Sequence, residues 1–260
     1  MTTTTGGAAS PRGQSAPSKA DSRAASGRFT GLVLLAALVS AISSLLYGYD
    51  TGIISGALLQ LRRDFHTGSG TEQLIAGSIL LGAALGALCC SRMSEQHGRR
   101  RTILVVALIF VAGTLGSAFA PTALLLCAAR IVLGFAVGGA TQTVPMYVAE
   151  LAPAKHRGQL VLTFQVGIGV GIVVSTIVGA TEAVPWRVSV GMASVPAVIL
   201  LLVMLALPES PRWLVKDDNR DKARDVLSRL RPRGADLDAE LRDIVELEDA
   251  ERKAGARNRG

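Results

Sequence analysis

Two ionisable side chains sit in stretches where charge is expensive. Asp50 follows Tyr47-Gly48-Tyr49, and the apolar run resumes through Ile53, Ile54 and Ala57, so a helix continuing to Leu61 would hold the carboxylate near its middle. Arg130 stands between the apolar segments Leu124 to Ala129 and Ile131 to Leu133. An ionised group in hydrocarbon costs about 2.5–3.5 kcal/mol or more, so such residues face a protein interior, pair with one another or serve a pathway. Opposite charges make these two natural partners. A carboxylate beside a guanidinium stays ionised until the pair separates, which would tie proton binding to a conformational change; a static ion pair joining two helices would use the same residues. Gln165, in Thr163-Phe164-Gln165-Val166-Gly167, and Gln142 are amides in otherwise apolar runs. An amide offers two donors and an acceptor, which suits a hydroxyl-bearing ligand and equally suits a neighbouring helix.

These four side chains need membrane-spanning helices to carry them. The chain is 49% hydrophobic and only 4% aromatic, its mean hydropathy is +0.40, and its charges crowd into the first 30 positions, a few short clusters and the stretch after Leu207. That distribution excludes a soluble globular enzyme. No nucleophile, base and oxyanion-donor set occurs, and His66, His97 and His156 are all expected in loops. A helix rising 1.5 Å per residue needs about 20 apolar residues to cross a bilayer. Six such spans are expected, at approximately 30–61, 73–92, 103–120, 123–148, 159–180 and 188–207, with Pro121 and Thr122 breaking the uncharged stretch between the third and fourth.

Basic residues set the orientation, because short cytoplasmic loops retain them. Arg12, Lys19, Arg23 and Arg28 precede the first span, Arg92, Arg99, Arg100 and Arg101 follow the second, and Lys155 with Arg157 follow the fourth; on the other side Arg62, Arg63 and Arg187 are offset by Asp64, Glu72 and Glu182. Both termini are therefore expected in the cytoplasm. Residues 1–28, rich in Ser, Thr, Gly and Ala, read as a disordered tail, with a transit peptide as the alternative. After Leu207 the chain turns highly charged, and Asp221 to Leu230 and Asp236 to Arg252 read as two amphipathic helices, whether docked or solvated. Cys89, Cys90 and Cys127 lack metal-ligand spacing and read as packing residues; no metal or other cofactor is expected. Gly134, Gly138 and Gly139 in the fourth span and Gly167, Gly169 and Gly171 in the fifth fit close helix packing in a membrane. The run Gly167-Ile168-Gly169-Val170-Gly171 lacks the strand that a dinucleotide loop needs.

Taken in order, several short motifs resemble one family. Gly48-Tyr49-Asp50-Thr51-Gly52, Gly98-Arg99-Arg100 and Arg130 with Gly134, Gly138 and Gly139 resemble the major facilitator superfamily. Val144-Pro145-Met146-Tyr147-Val148-Ala149-Glu150, Pro153, Arg157-Gly158, Gln165, Trp186-Arg187 and Pro208-Glu209-Ser210-Pro211-Arg212-Trp213-Leu214 narrow the resemblance to its sugar porter family. The resemblance implies an all-α membrane protein. Its six spans would be the amino-terminal bundle of the major facilitator fold, two inverted three-helix repeats, followed over 208–260 by part of a cytoplasmic helical domain.

By resemblance, the function would be transport of a monosaccharide or polyol across the cell membrane by alternating access with proton symport, the partners being the sugar, the proton and the lipid bilayer. Asp50 would couple the proton with Arg130 as its partner, Gln165 would bind sugar with Gln142 a second candidate, and Glu95, Arg99, Arg100, Glu150, Arg157, Glu209 and Arg212 would be cytoplasmic gating charges. Glu95 stands where the family usually has aspartate, and Gln96 where a basic residue is common. The family would begin its second bundle after about Gly260, so a separately encoded carboxy-terminal half or a second copy is a further expected partner, while nucleic acid is not. Two other readings remain: a nontransporting or partner-binding half, and drug antiport, against which the fifth span lacks the Gly-Pro pair common in such carriers.

Overall fold

The computed structural model describes residues 31–66, 68–153, 156–180, 184–232 and 234–257; the tail expected over 1–28 lies outside them, as do Lys155 and Glu182. The described residues form helices without a strand: α1 (Gly31–Phe65), α2 (Ser69–His97), α3 (Arg99–Ala118), α4 (Ala123–Leu151), α5 (Arg157–Ala180), α6 (Trp186–Gly191), α7 (Ser194–Ala206), α8 (Pro211–Lys216), α9 (Arg220–Leu230) and α10 (Leu237–Arg257). Six helical segments are long and apolar enough to cross a membrane, with α6 and α7 together making the sixth. The sixth is broken because Pro196 has no N–H to give the Met192 carbonyl. Ala193 instead donates to Val190 at 3.3 Å and Val195 to Met192 at 3.2 Å, a tightened turn of i to i−3 bonds.

Several helices outrun the apolar stretches that mark them. At 1.5 Å per residue the 35 residues of α1 reach about 50 Å, well beyond a hydrocarbon core of about 30 Å. Its charged last turn stays helical because it has partners: Arg62 pairs with Glu72 at 2.5 Å, and Asp64 accepts from Trp186 Nε1 at 2.7 Å. The second span runs through His97, so that histidine closes a helix instead of lying in a loop. Only Gly98 separates α2 from α3. Its φ of +98° is one that L side chains rarely adopt, and a Cβ there would run into the Glu209 carboxylate, so conformation and space both require glycine. Thr122 caps α4, its hydroxyl accepting from Leu125 N at 3.3 Å.

Two crossings organise the bundle. α2 packs along α4, and α1 along α5, with the helix backbones touching where glycines face each other. A Cβ on Gly82 or Gly86 would strike the Ile131 or Phe135 carbonyl, and one on Gly134 or Gly138 the Ile79 or Ala83 carbonyl. The other crossing repeats the device with Gly48 and Gly56 of α1 set against Ile168, Gly171 and Gly179 of α5. With the first three spans as one repeat and the last three as the other, first-on-fifth and fourth-on-second are equivalent pairings, as an inverted repeat requires. α3 leans on α4, α6 and α7. Gly138→Val is expected to destabilise the bundle by about 1–3 kcal/mol or more, since the obstacle is a backbone carbonyl that no rotamer change can clear. The check is the thermal midpoint of monodispersity in detergent, with Gly77→Ala, which meets nothing within 4 Å, as the neutral comparison.

α9 buries Ala223, Val226, Leu227 and Leu230, of which Ala223, Val226 and Leu230 belong to the apolar core, and Arg231 Nη1 donates to the Leu151 carbonyl at the end of α4 at 2.9 Å. The charged segment is thus docked and not merely solvated. On α10, Leu241, Ile244 and Val245 pack against the core, whereas Leu247 is 51% exposed.

Candidate functional site

Asp50 and Arg130 meet inside the bundle. They are 2% and 1% exposed, and Arg130 Nη1 lies 3.7 Å from Asp50 Oδ1. That is an ion pair without a hydrogen bond: Asp50 Oδ2 and Arg130 Nη1 have no hydrogen-bonding partner among the described residues. Arg130 is held from a third span as well, its Nε donating to the Ile75 carbonyl of α2 at 3.0 Å. One guanidinium therefore ties α1, α2 and α4 together. Asp50 is brought inward because Gly48 and Gly52 let α1 press on α5, where a Cβ on Gly52 would overlap the Ser175 hydroxyl. A buried carboxylate whose second oxygen is unsatisfied and whose counter-ion is in loose contact has room for a proton.

Gln165 and Gln142 lie elsewhere. Both are exposed on the bundle surface, on α5 and α4, alongside the exposed hydroxyls of Thr163 and Thr141, which bond back to Gln159 and Val137 of their own helices. Neither amide joins two helices among the described residues. The helix-joining role is thus not used within this bundle, and α5, with only 17% of its apolar window buried, is the most open of the spans.

The charged residues gather at the end of the bundle where α8, α9 and α10 dock, but only some pair as a set. Arg99 and Glu150 bind each other at 3.2 Å, both side chains 8% exposed, and Arg99 Nη1 donates to the Ser94 carbonyl at 2.9 Å. Arg100 uses its backbone: its N–H donates to Glu209 Oε1 at 2.9 Å, while its side chain donates to the Leu205 carbonyl at 2.9 Å. Glu209 also accepts from Ser210 N at 3.0 Å. Burial pushes the Glu209 carboxyl up, and the backbone N–H groups at the start of α3 oppose that shift. Glu95 sits 3.9 Å from Lys216. Arg212 reaches Glu248 at 2.6 Å and Glu251 at 2.5 Å on α10. Arg157 makes no ion pair among the described residues; its Nε donates to the Ala152 carbonyl at 3.3 Å.

Around these groups lies a cavity of about 770 Å³, lined by Glu95, Arg99, Glu150, Arg212, Lys216 and Glu248 among others. Sequence reasoning passed over several contributors: Arg231, paired with Glu240 at 2.6 Å, Tyr147, whose hydroxyl donates to the Pro208 carbonyl at 2.6 Å, and the acids of α10. The one available signal was spacing. Glu248 and Glu251 are three apart and so share a helix face with the reach to grip one arginine.

Comparison with known proteins relates the chain to transporters. Residues 36–258 match the family described as Sugar (and other) transporter. The chain is 41% identical over 210 residues to the D-xylose transporter of Levilactobacillus brevis, covering 79% of this chain and 46% of that protein. It is 40% identical over 223 residues to the major myo-inositol transporter IolT of Bacillus subtilis (strain 168), covering 82% and 46%. A solved structure of the proton:xylose symporter XylE, a major facilitator superfamily protein bound to 6-bromo-6-deoxy-D-glucose, superposes with a TM-score of 0.77 at 27% identity, over 87% of this chain and 55% of that one. The chain spans about half the length of the curated relatives it matches.

Proposed function

Since this chain belongs to the sugar (and other) transporter family, we propose that it forms the amino-terminal bundle of a carrier moving a monosaccharide or polyol across the cell membrane with a proton, by alternating access. It is a multi-pass membrane protein and not an enzyme. The observation that carries proton coupling is the buried Asp50–Arg130 pair, 3.7 Å apart with an unsatisfied carboxylate oxygen. Asp50 takes the proton when Arg130 withdraws, and Arg130 reclaims the carboxylate when the proton leaves. The activities named for the relatives, xylose and myo-inositol transport and proton:xylose symport, support the same substrate classes. The end bearing Arg99, Arg100, Arg157 and Arg212 faces the cytoplasm, by the bias of basic residues towards that side. There Arg99, Glu150, Glu209, Arg212 and Glu95 hold helix ends together until substrate binding releases them. The direct test is proton movement: in a carrier completed by a second bundle, adding sugar outside vesicles should alkalinise the medium, and sugar entry without proton uptake would overturn the symport reading.

Gln165 is the sugar contact we assign first, with Gln142 on the neighbouring span as a second, because both amides are open and uncommitted. Gln165→Ala would leave sugar hydroxyls desolvated without a partner, at about 1–3 kcal/mol. Affinity should weaken by about 5- to 150-fold, at 1.4 kcal/mol per tenfold. Equilibrium binding of labelled sugar reads this out, and an unchanged dissociation constant would overturn Gln165 as a sugar contact.

A further inference from the structure

We propose that the groove between α3 and α6, at the end of the bundle remote from α8–α10, holds one phospholipid, with its phosphate on Arg187 and an acyl chain along the groove. The groove has a volume of about 470 Å³, and Leu115, Phe119, Val188, Gly191 and Met192 line it together with Arg187. Arg187 is the second residue of the sixth span, and the carbonyls it binds, Ala118 at 3.0 Å and Ala120 at 2.7 Å, end the third. Those two span ends place the guanidinium at the depth of lipid headgroups.

Only Nη1 of Arg187 is used in these bonds. The guanidinium is stacked 4.5 Å over the Trp186 ring and 5.9 Å over Phe65, which fixes its plane, and its Nε and Nη2 make no hydrogen bond to the described residues. A held cation whose Nε and Nη2 are unused among the described residues, in the lining of an apolar groove, matches a phosphate followed by a hydrocarbon tail. The surroundings favour lipid over a protein partner. The outward residues of the flanking helices are apolar along their length, with Val105, Leu108 and Leu115 on α3 and Val195, Ile199 and Leu202 on α7. The exposed amides Gln142 and Gln165 are on α4 and α5 instead.

Native mass spectrometry of the 260-residue chain released from nanodiscs of phosphatidylglycerol tests the assignment. One lipid should stay bound, and diacylglycerol of the same tails, which lacks the phosphate, should not. Arg187→Gln should reduce the retained fraction about tenfold. Because that change also removes the bonds to Ala118 and Ala120, Gly191→Leu serves as the second variant: a Cβ at Gly191 meets only the Ala118 Cβ at 3.5 Å, so the larger side chain fills the groove and leaves Arg187 in place. It too should reduce retention about tenfold with helicity unchanged. Equal retention by the parent and Gly191→Leu, or equal retention of diacylglycerol, would overturn the site.

Discussion

Asp50→Asn is expected to abolish uphill sugar accumulation while leaving sugar exchange measurable, when this bundle works within a complete carrier. Asparagine keeps the size of the side chain and fits between α1 and α4 without a new void, so the helix crossing survives. It cannot take or release a proton. Arg130 would keep its bond to the Ile75 carbonyl but lose its anion, leaving a buried cation whose partner cannot be restored by any pH. Removing one member of a buried pair costs about 3–5 kcal/mol, so some loss of expression should accompany the variant. Exchange controls for this, because it needs a folded, moving carrier and no net proton flux. The measurement is a pair of rates in one vesicle preparation: accumulation against a sugar gradient driven by a proton gradient, and equilibrium exchange of labelled sugar. Full accumulation by Asp50→Asn would sink the coupling assignment.

Vesicles containing only these 260 residues are expected to show no saturable sugar uptake, with uptake appearing when the complementary six-helix bundle is supplied. Alternating access moves a substrate between two bundles that rock about a shared site, so one bundle gives a half-site. The described residues include faces that such a second bundle would cover. Gln142 and Gln165 are exposed, and α5 has most of its apolar window uncovered. Polar amides facing lipid are costly, so the bundle by itself should also be less stable than in company. A second copy could cover these faces, but it would double the Asp50–Arg130 pair and offer the same amides twice in place of a complementary wall. Counterflow of labelled sugar, with the chain alone and with the second bundle co-expressed, decides between them. Saturable, stereospecific uptake by the chain alone would make the homodimer the carrier.

The membrane spans were legible from apolar run length, and the Asp50–Arg130 pair from two charges that only made sense together. What escaped reading was whatever depended on contacts between distant segments. Helix ends such as Arg62 to Phe65 and Met93 to His97 look like loops by composition, and their helicity comes from Glu72, Trp186 and the Gly98 junction. The charges at the α8–α10 end were expected as a group, but their wiring was not. Nothing in the sequence says that Arg100 binds Glu209 through its amide and not its guanidinium, that Arg157 stays out of the network, or that Arg231 stands where it can grip both Glu240 and α4. Pairing of long side chains is decided by a few ångströms of helix approach, and the glycines that set that approach carry no record of which backbone they will touch.

The single residue between α2 and α3 has a consequence for how this chain can change length. A helix turns by about 100° per residue, and no slack segment at Gly98 could absorb an added one. An insertion there would spin α3 about its axis, carrying Arg99 away from Glu150 and the Arg100 amide away from Glu209, while every side chain that α3 presents to α4 and α7 changed face. Gly98 is in this sense a phase marker: insertions and deletions should be purged from this junction, whereas a stretch such as that between α9 and α10, which contains Gly234 at φ +95° with open space around it, can lengthen without disturbing the phase of any span.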